Sequence, residues 1–372
     1  MLMRRYLVRN TVRRLAPALA ALTAATAVLA GCSSSGSGPA GTAAPAKTGG
    51  ALQGTTPYTQ QKPITPVTTI SIAYSAQSAD VLYLLTAIND GAMAREGLNV
   101  KIQLIQSAPV FSALISGQVQ FVLSGSGDML SAVAGGAANL RWIGTANTYA
   151  SYLFYTRPNI TSASQLKGAT IASTSTAGMS TVCSKLSMAH LGITDYKMAY
   201  LGSVSSDAAA LQSGAAQGIC INPPSLYALN AAGDHSLWDL TSSKVRLAQE
   251  GVATTEQEIT SDPDIVQRLM TALTEGEKLV HETSPSAVSA DLKLLEKITD
   301  GSIPESEALP TMQYEWTVQS GNLTPEDADF KIGQQYEAEV VPSIAKINIA
   351  SVVDPSFAKA AATAVYGANP PS

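Results

Sequence analysis

Hydroxyl and amide side chains collect in four short loops, each of which follows an apolar run. The loop residues that we expect to contact a ligand are Tyr74, Ser75, Gln77, Ser78, Gly125, Ser126, Thr174, Thr176, Gly178, Met179, Ser180 and Asn222. Hydroxyls, amides and free backbone N–H groups bind small polar molecules by hydrogen bonds. None of the four loops contains the Lys or Arg that a strongly charged anion usually recruits. They therefore predict a site for a small ligand that is neutral or weakly anionic.

The loop at 173–181 has the highest density of hydroxyl groups, and Gly178 within it lets a ligand approach the backbone. The alternative is that one or two of these hydroxyls only cap the helix that follows. The same alternative holds for Asp128, which stands where another helix begins. Tyr74, Tyr149 and Tyr152 lie near strand ends and could stack on a ligand, whereas Trp142 is expected to pack in the core.

Catalytic and metal-binding patterns are weak in this sequence. Neither Ser126 nor Ser180 stands in the Gly-x-Ser-x-Gly pattern of a nucleophile elbow. Three His and three Cys are few for a zinc site with several ligands, so no catalytic residue, metal or cofactor is predicted. The charged fraction of 14% and the net charge of −5 argue against nucleic-acid binding, which needs clustered Lys and Arg.

Strand-like and helix-like segments alternate along the chain after residue 67. The predicted strands are 70–74, 99–105, 121–123, 140–145, 151–155, 169–173, 198–201 and 219–221. The predicted helices are 81–96, 110–116, 129–134, a segment ending at 190, 208–212, 226–232, 263–282, 285–299, 325–338 and 356–366. This alternation is typical of an α/β fold with mainly parallel sheets flanked by helices.

The alternation restarts at Arg157, which indicates two lobes. We predict that residues 67–156 with 247–372 form lobe 1 and that residues 157–246 form lobe 2. In open α/β sheets, ligands bind beyond the carboxyl ends of strands and against helix N-termini. The four polar loops are therefore expected to meet in a cleft between the lobes.

The N-terminal sequence indicates the cellular compartment of the protein. Arg-rich residues 1–14 precede an apolar stretch at 15–30, as in a secretory signal. The tetrapeptide 29–32, Leu-Ala-Gly-Cys, resembles a bacterial lipobox, which implies a signal peptide at 1–31 and a lipid such as palmitate on Cys32. An uncleaved anchor is the alternative, and both Sec and twin-arginine export stay open. Residues 32–66 are predicted to be a flexible tether.

Lobe 2 contains Cys183, predicted on a helix, and Cys220, predicted on a strand. The two either form a disulfide, which an oxidising compartment allows, or remain buried thiols.

Two segments of the chain repeat one sequence pattern, and several further segments occur in the order found in a known protein family. Segments 112–121 and 209–218 share Ala-Leu-x-Ser-Gly, and both lie between a helix and a strand. The further segments that carry the resemblance are Leu-Lys-Gly-Ala-Thr-Ile-Ala at 166–172, the segments 223–233 and 262–279, and Val-Asp-Pro-Ser-Phe at 353–357. In this order, residues 67 to about 362 resemble the substrate-binding proteins of ABC importers for nitrate, sulfonate, taurine and thiamine precursors. That family often has an acid where this chain has Gln120 and Gln217.

The resemblance implies a type II periplasmic-binding-protein fold with a ligand cleft between two lobes. It also implies delivery of the ligand to an ABC permease. The signal-like N-terminus and the lipobox-like tetrapeptide add the expectation that the protein is exported and held by lipid on the outer face of the cytoplasmic membrane. We expect the ligand to bridge the two lobes and favour a closed state. A ligand sensor or scaffold without transport is one alternative, and an enzyme resembling those of pyrimidine synthesis is another.

Overall fold

The computed structural model describes residues 63–76, 78–106, 109–281, 293–294 and 305–371. The predicted signal peptide, Cys32, the tether up to residue 62, Gln77 and nearly all of the helix predicted at 285–299 lie outside these residues. Among the helices it does describe, none combines the length and the apolar composition that a bilayer span requires.

Ten strands in the described residues form two five-stranded sheets. They are β1 (Thr68–Tyr74), β2 (Leu98–Leu104), β3 (Phe121–Ser124), β4 (Leu140–Tyr149), β5 (Leu153–Thr156), β6 (Ala169–Ser173), β7 (Tyr196–Tyr200), β8 (Gly218–Ile221), β9 (His235–Asp239) and β10 (Arg246–Thr255). The first sheet has the order β2-β1-β3-β10-β4 and the second the order β7-β6-β8-β5-β9. The α/β fold class predicted from the sequence is confirmed.

The two sheets are built on one plan. In each, the first three strands of the order are parallel and the fourth is antiparallel to both of its neighbours. That fourth strand comes from the other half of the chain, since β10 follows the whole second sheet and β5 directly follows β4. Each sheet is thus mainly parallel, as predicted. Its one antiparallel strand is contributed by the other half of the chain, so the two halves exchange one strand each.

Helices cover both sheets. They are α1 (Leu82–Asn89), α2 (Ala92–Arg95), α3 (Pro109–Ile115), α4 (Ser126–Ala134), α5 (Met179–His190), α6 (Val204–Ser213), α7 (Leu226–Ala231), α8 (Glu256–Ser261), α9 (Pro263–Val280), α10 (Glu305–Glu315), α11 (Lys331–Ala338) and α12 (Ser356–Tyr366). The single helix predicted at 81–96 is broken, because Gly91 adopts a φ of 79° between α1 and α2. Helix α12 has the predicted bounds.

Each sheet is buried on both faces, which explains why its strands read as nearly continuous apolar runs. In β1, Ile70 and Ile72 belong to one buried cluster and Ala73 to the cluster on the opposite face. The second sheet likewise separates two clusters, one around Phe154 and one around Leu211. Trp142 is fully buried in the core, as predicted from the sequence.

Strands β9 and β10 were not predicted. Strand β10 contains Gln249, Glu250 and Gly251, residue types that are not typical of strands. Its place between β3 and β4 depends on Gly251, where a Cβ atom would lie 2.2 Å from the carbonyl oxygen of Gly144 and 2.4 Å from the Trp142 ring. Tertiary packing therefore determines this strand more than local preference does.

The chain passes between the sheets twice, and the two passages lie side by side. One joins β4 to β5 and the other joins β9 to β10. The Ala150 N–H donates to the Val245 carbonyl (2.8 Å), and the Leu240 N–H donates to the Tyr152 carbonyl (3.1 Å). The Thr241 hydroxyl also donates to the Ala150 carbonyl (2.9 Å). We call these two segments, 150–152 and 240–245, the crossing segments.

Candidate functional site

A cavity of about 690 Å³ lies where loops from both sheets meet, at the carboxyl ends of the strands. Its volume is in the range of small-molecule sites. Eight of the residues singled out from the sequence line it: Ser75, Ser78, Gly125, Thr174, Gly178, Met179, Ser180 and Asn222. The four polar loops therefore converge, although they are far apart along the chain.

Three predicted residues do not line the cavity. Ser126 is fully buried at the start of α4. Thr176 is exposed and is not among the residues that line the cavity. Tyr74 packs against the hydrophobic cluster of the first sheet. Each belongs to the right loop, but adjacent residues of a tight loop point in different directions, which spacing alone does not determine. Gln77 lies outside the described residues.

The hydroxyls of the 173–181 loop mostly bond to one another. The Ser180 hydroxyl lies 2.8 Å from those of both Ser173 and Thr174. Gly178 has a φ of 146°, and a Cβ there would come within 2.8 Å of the Ser175 hydroxyl oxygen. These contacts shape the loop and start α5 at Met179. Several of the hydroxyls expected to bind ligand therefore serve first to hold the loop in place.

Carboxyl groups dominate the charge of the cavity. Asp80, Asp128, Glu250 and Glu307 line it, whereas no Lys, Arg or His is found among its described lining residues. The sequence interpretation missed Asp80 and Glu250, because Asp80 reads as the start of a helix and Glu250 lies in an unpredicted strand. Asp128 is not the N-cap of α4, since that position belongs to Gly125 and Asp128 lies in the first turn.

Asp80 is held in a network that crosses the cavity. Its carboxylate accepts hydrogen bonds from the amide of Asn147 (2.8 Å) and the hydroxyl of Ser151 (3.3 Å). From the second sheet, the amide of Asn222 donates to the other oxygen at 3.3 Å. Burial raises the pKa of Asp80, and burial together with the Asp80 charge raises that of Glu315 well above its usual range. The hydrogen bond between the two carboxyls favours the ionised form of Asp80 and the protonated form of Glu315.

Glu250 and Asp128 differ from Asp80 in having oxygens without donors. Glu250 is only 5% exposed, and its Oε1 atom has no hydrogen-bond partner. Burial and the charges of Asp80 and Asp128 raise its pKa well above the ordinary value. The Oδ1 atom of Asp128 is also unpartnered, and burial raises the pKa of this carboxyl to about 7. Together with Asp80, these two residues form what we call the acidic wall.

A further carboxyl lies beside the N-termini of α4 and α5, where the sequence predicted ligand contacts. Glu337, from α11, is fully buried. A Cβ atom at Gly127 would lie 1.7 Å from its Oε1 atom. Burial and the Asp128 charge raise the pKa of Glu337, and the backbone N–H of Gly178 at the start of α5 opposes this rise. The positive ends of α4 and α5 therefore face a carboxyl of the protein itself.

A disulfide links two elements of the second sheet's half that border the cavity. Cys183 on α5 and Cys220 on β8 are bonded, with their Cα atoms 6.1 Å apart. It ties the helix that follows the 173–181 loop to the strand that leads to Asn222. Of the tyrosines considered for stacking, Tyr152 lines the cavity, whereas Tyr149 does not.

Comparisons with known proteins agree with this architecture. The family model described as NMT1/THI5 like matches residues 78–286. A search of the curated proteins finds no match. Among solved structures, the aliphatic sulphonate-binding protein SsuA of Escherichia coli is 17% identical, with 77% of this chain and 92% of that chain covered and a TM-score of 0.62.

Two further solved structures resemble this chain to a similar degree. The alkanesulfonate-binding protein SsuA of Xanthomonas axonopodis pv. citri, bound to MOPS, is 18% identical, covers 77% of this chain and 98% of its own, and has a TM-score of 0.62. The nitrate-binding protein NrtA of Synechocystis PCC 6803 is 12% identical, with coverages of 80% and 89% and a TM-score of 0.60. The similarity to ABC substrate-binding proteins inferred from the sequence is confirmed. Because the family model matches more than half of the chain, this protein belongs to the NMT1/THI5-like family, and its fold is that of the periplasmic binding proteins.

Proposed function

We propose that this protein binds a small solute outside the cytoplasm and delivers it to an ABC importer. The observation that carries the proposal is the cavity between the two sheets, lined by loops from both. A ligand in this position contacts both halves at once, so it binds most tightly when they are close together. The fold shared with solute-binding proteins supports the same role.

The crossing segments support a closing motion. They are short, adjacent and joined by backbone hydrogen bonds, so a small change in their backbone angles turns one half against the other. Asn222 of the second half already donates to Asp80 of the first half across the cavity. We propose that residues 67–156 with 247–372 and residues 157–246 are the two moving lobes, and that bound ligand adds to this bridge.

Closure is tested by measuring shape and stability together. The purified chain is screened by thermal shift against MOPS, nitrate, pyrimidines, amino acids and small amines, and the strongest binder is then examined by small-angle scattering. A ligand that binds only the folded protein raises the melting temperature, and closure lowers the radius of gyration. Asn222→Ala should weaken binding about 10-fold, which corresponds to loss of one or two buried hydrogen bonds. Asn159→Ala, at an exposed position, is the matched control. Ligand binding without any change in radius would contradict the closing mechanism.

We further propose that Cys32 carries the lipid that holds the protein at the membrane. The lipobox-like tetrapeptide supports this. Cys32→Ala should move the protein from the membrane fraction to the soluble extracytoplasmic fraction and reduce uptake of the solute, while purified protein binds that solute as before. A Cys32→Ala protein that stays in the membrane fraction would contradict the lipid anchor and favour an uncleaved signal.

A further inference from the structure

Resting on the proposed function, we infer that the solute is an organic cation whose ammonium, amidinium or guanidinium group is held by the carboxylates of Asp128 and Glu250. The neutral or weakly anionic ligand expected from the loops alone took no account of Asp80 and Glu250. Those residues lie in segments whose side chains reach the cavity only in the folded chain.

The charge of the lining is one-sided. Its ionisable acids are Asp80, Asp128, Glu250 and Glu307, and its described residues include no basic side chain. Burying carboxylates together in a site of low polarity is costly unless positive charge accompanies them. A ligand cation supplies that charge, whereas an anion would add to the repulsion.

The unsatisfied atoms of the lining are all acceptors. They are Oδ1 of Asp128, Oε1 of Gln249 and Oε1 of Glu250. Gln249 and Glu250 are only 3% and 5% exposed, so solvent does not readily satisfy them. A buried acceptor without a donor is destabilising, and a ligand with several N–H groups would satisfy all three. This is the complement of an ammonium or guanidinium group.

The features that would bind an anion are already engaged. The N-termini of helices attract anions through free N–H groups and the helix dipole. At α4 and α5 those ends face Glu337 and Asp128 instead. An incoming sulfonate or carboxylate would therefore meet carboxyl groups where it needs donors.

Asp80 plays a different part from the other two acids. Its oxygens already accept from Asn147, Ser151 and Asn222. It therefore adds negative potential behind the site, while Asp128 and Glu250 retain free oxygens for direct contact. The opposite wall, with Thr174 and Ser180, carries no acid and faces the uncharged part of the ligand.

The test compares three probes of equal length and different charge on the full chain in detergent. They are 1,5-diaminopentane, 1,5-pentanediol and glutarate, and agmatine adds a guanidinium group. Calorimetry at pH 7.5 should give the tightest binding for the diamine or agmatine and at least 100-fold weaker binding for the diol and glutarate. Glu250→Gln should weaken binding of the cation at least 10-fold, because a charged buried hydrogen bond is lost. Asp195→Asn, which removes an exposed charge away from the cavity, should leave it unchanged.

Each outcome decides between the two proposals. Tightest binding of glutarate or pentanediol would overturn the cation inference and leave solute binding intact. Absence of binding by all probes, charged and neutral, would contradict solute binding itself. Glu250→Gln should raise the melting temperature of the ligand-free protein because it removes a buried ionisable carboxyl group with an unpartnered oxygen, and this rise also shows that the variant folds. If that variant and Asp128→Asn both keep full affinity for the cation, the assignment of these carboxylates is wrong.

Discussion

The two walls of the cavity stand on nearly identical sheets and carry opposite chemistry. All four acids of the lining come from outside residues 157–246. The wall from the second sheet contributes hydroxyls and an amide instead, in Thr174, Ser175, Ser180, Ser203, Ser205 and Asn222. Strand order and direction are therefore shared between the halves, while the charge of the site is set by a few loop and strand-end side chains. The fold places the site, and those side chains determine its ligand.

The two halves also differ in that only the second half contains a disulfide among the described residues. Removing this disulfide should change the free energy of unfolding more than any other substitution considered below. Of the three cysteines in the chain, the two among the described residues both lie in the second half. The double variant Cys183→Ala with Cys220→Ala should lose about 4 kcal/mol of unfolding free energy, because the bond closes a loop with a sequence separation of 37 residues. Urea unfolding followed by circular dichroism measures this loss. Dithiothreitol should destabilise the wild type and leave the double variant unchanged. A loss below about 1 kcal/mol would show that the disulfide is not a main support of the second half.

A matched pair of buried acids tests the difference in charge. Asp128 in the first turn of α4 and Asp207 in the first turn of α6 both have pKa values that burial raises to about 7. Only Asp128 lines the cavity. Each carboxyl binds more protons in the folded than in the unfolded protein between about pH 4 and pH 7, so stability falls as pH rises through that window.

Replacing either acid by Asn should flatten this pH profile, with a gain of about 1–3 kcal/mol at pH 8 and almost none at pH 4. Only Asp128→Asn should also weaken binding of the cationic probe. Because Glu250, Glu337 and Tyr152 face Asp128, their proton equilibria contribute to the same profile. Equal loss of affinity in both variants would remove the distinction between the two walls. Thermal unfolding across pH 4–8 and calorimetry supply the two measurements.

The smallest effect concerns a feature that the halves share. The side-chain oxygen of Gln120 accepts from the Ser71 N–H (3.1 Å), and that of Gln217 accepts from the Thr170 N–H (2.8 Å). These are equivalent positions in the two repeated segments. Gln120→Ala and Gln217→Ala should each cost about 1 kcal/mol, and the double variant should show their sum because the sites are independent. Urea unfolding of all three variants checks this, and a clearly non-additive double variant would contradict the independence of the sheets.

Much of the fold could be predicted because its strands are apolar and its turns contain glycine. The repeated Ala-Leu-x-Ser-Gly segments predicted two lobes on one plan, and the side-chain oxygens of Gln120 and Gln217 accept from equivalent strand N–H groups in the two sheets. Strand β10 could not be predicted, since Gly251 is required there by the approach of Gly144 and Trp142 from distant sequence. Glu250 of the acidic wall was missed for the same reason, because it lies within that strand. An acid flanked by small and apolar residues, as in Ala-Gln-Glu-Gly-Val at 248–252, was the available signal.

The exchanged strands have a consequence for how the chain is made. Strand β10 lies between β3 and β4, so the first sheet has an open slot until residue 255 has emerged. Synthesis from the N-terminus therefore completes the second sheet before the first, although the first sheet begins earlier. A nascent chain stopped near residue 240 would hold a finished second half and an unclosed first half. That order delays closure of the first sheet until the chain is available up to residue 255 of 372.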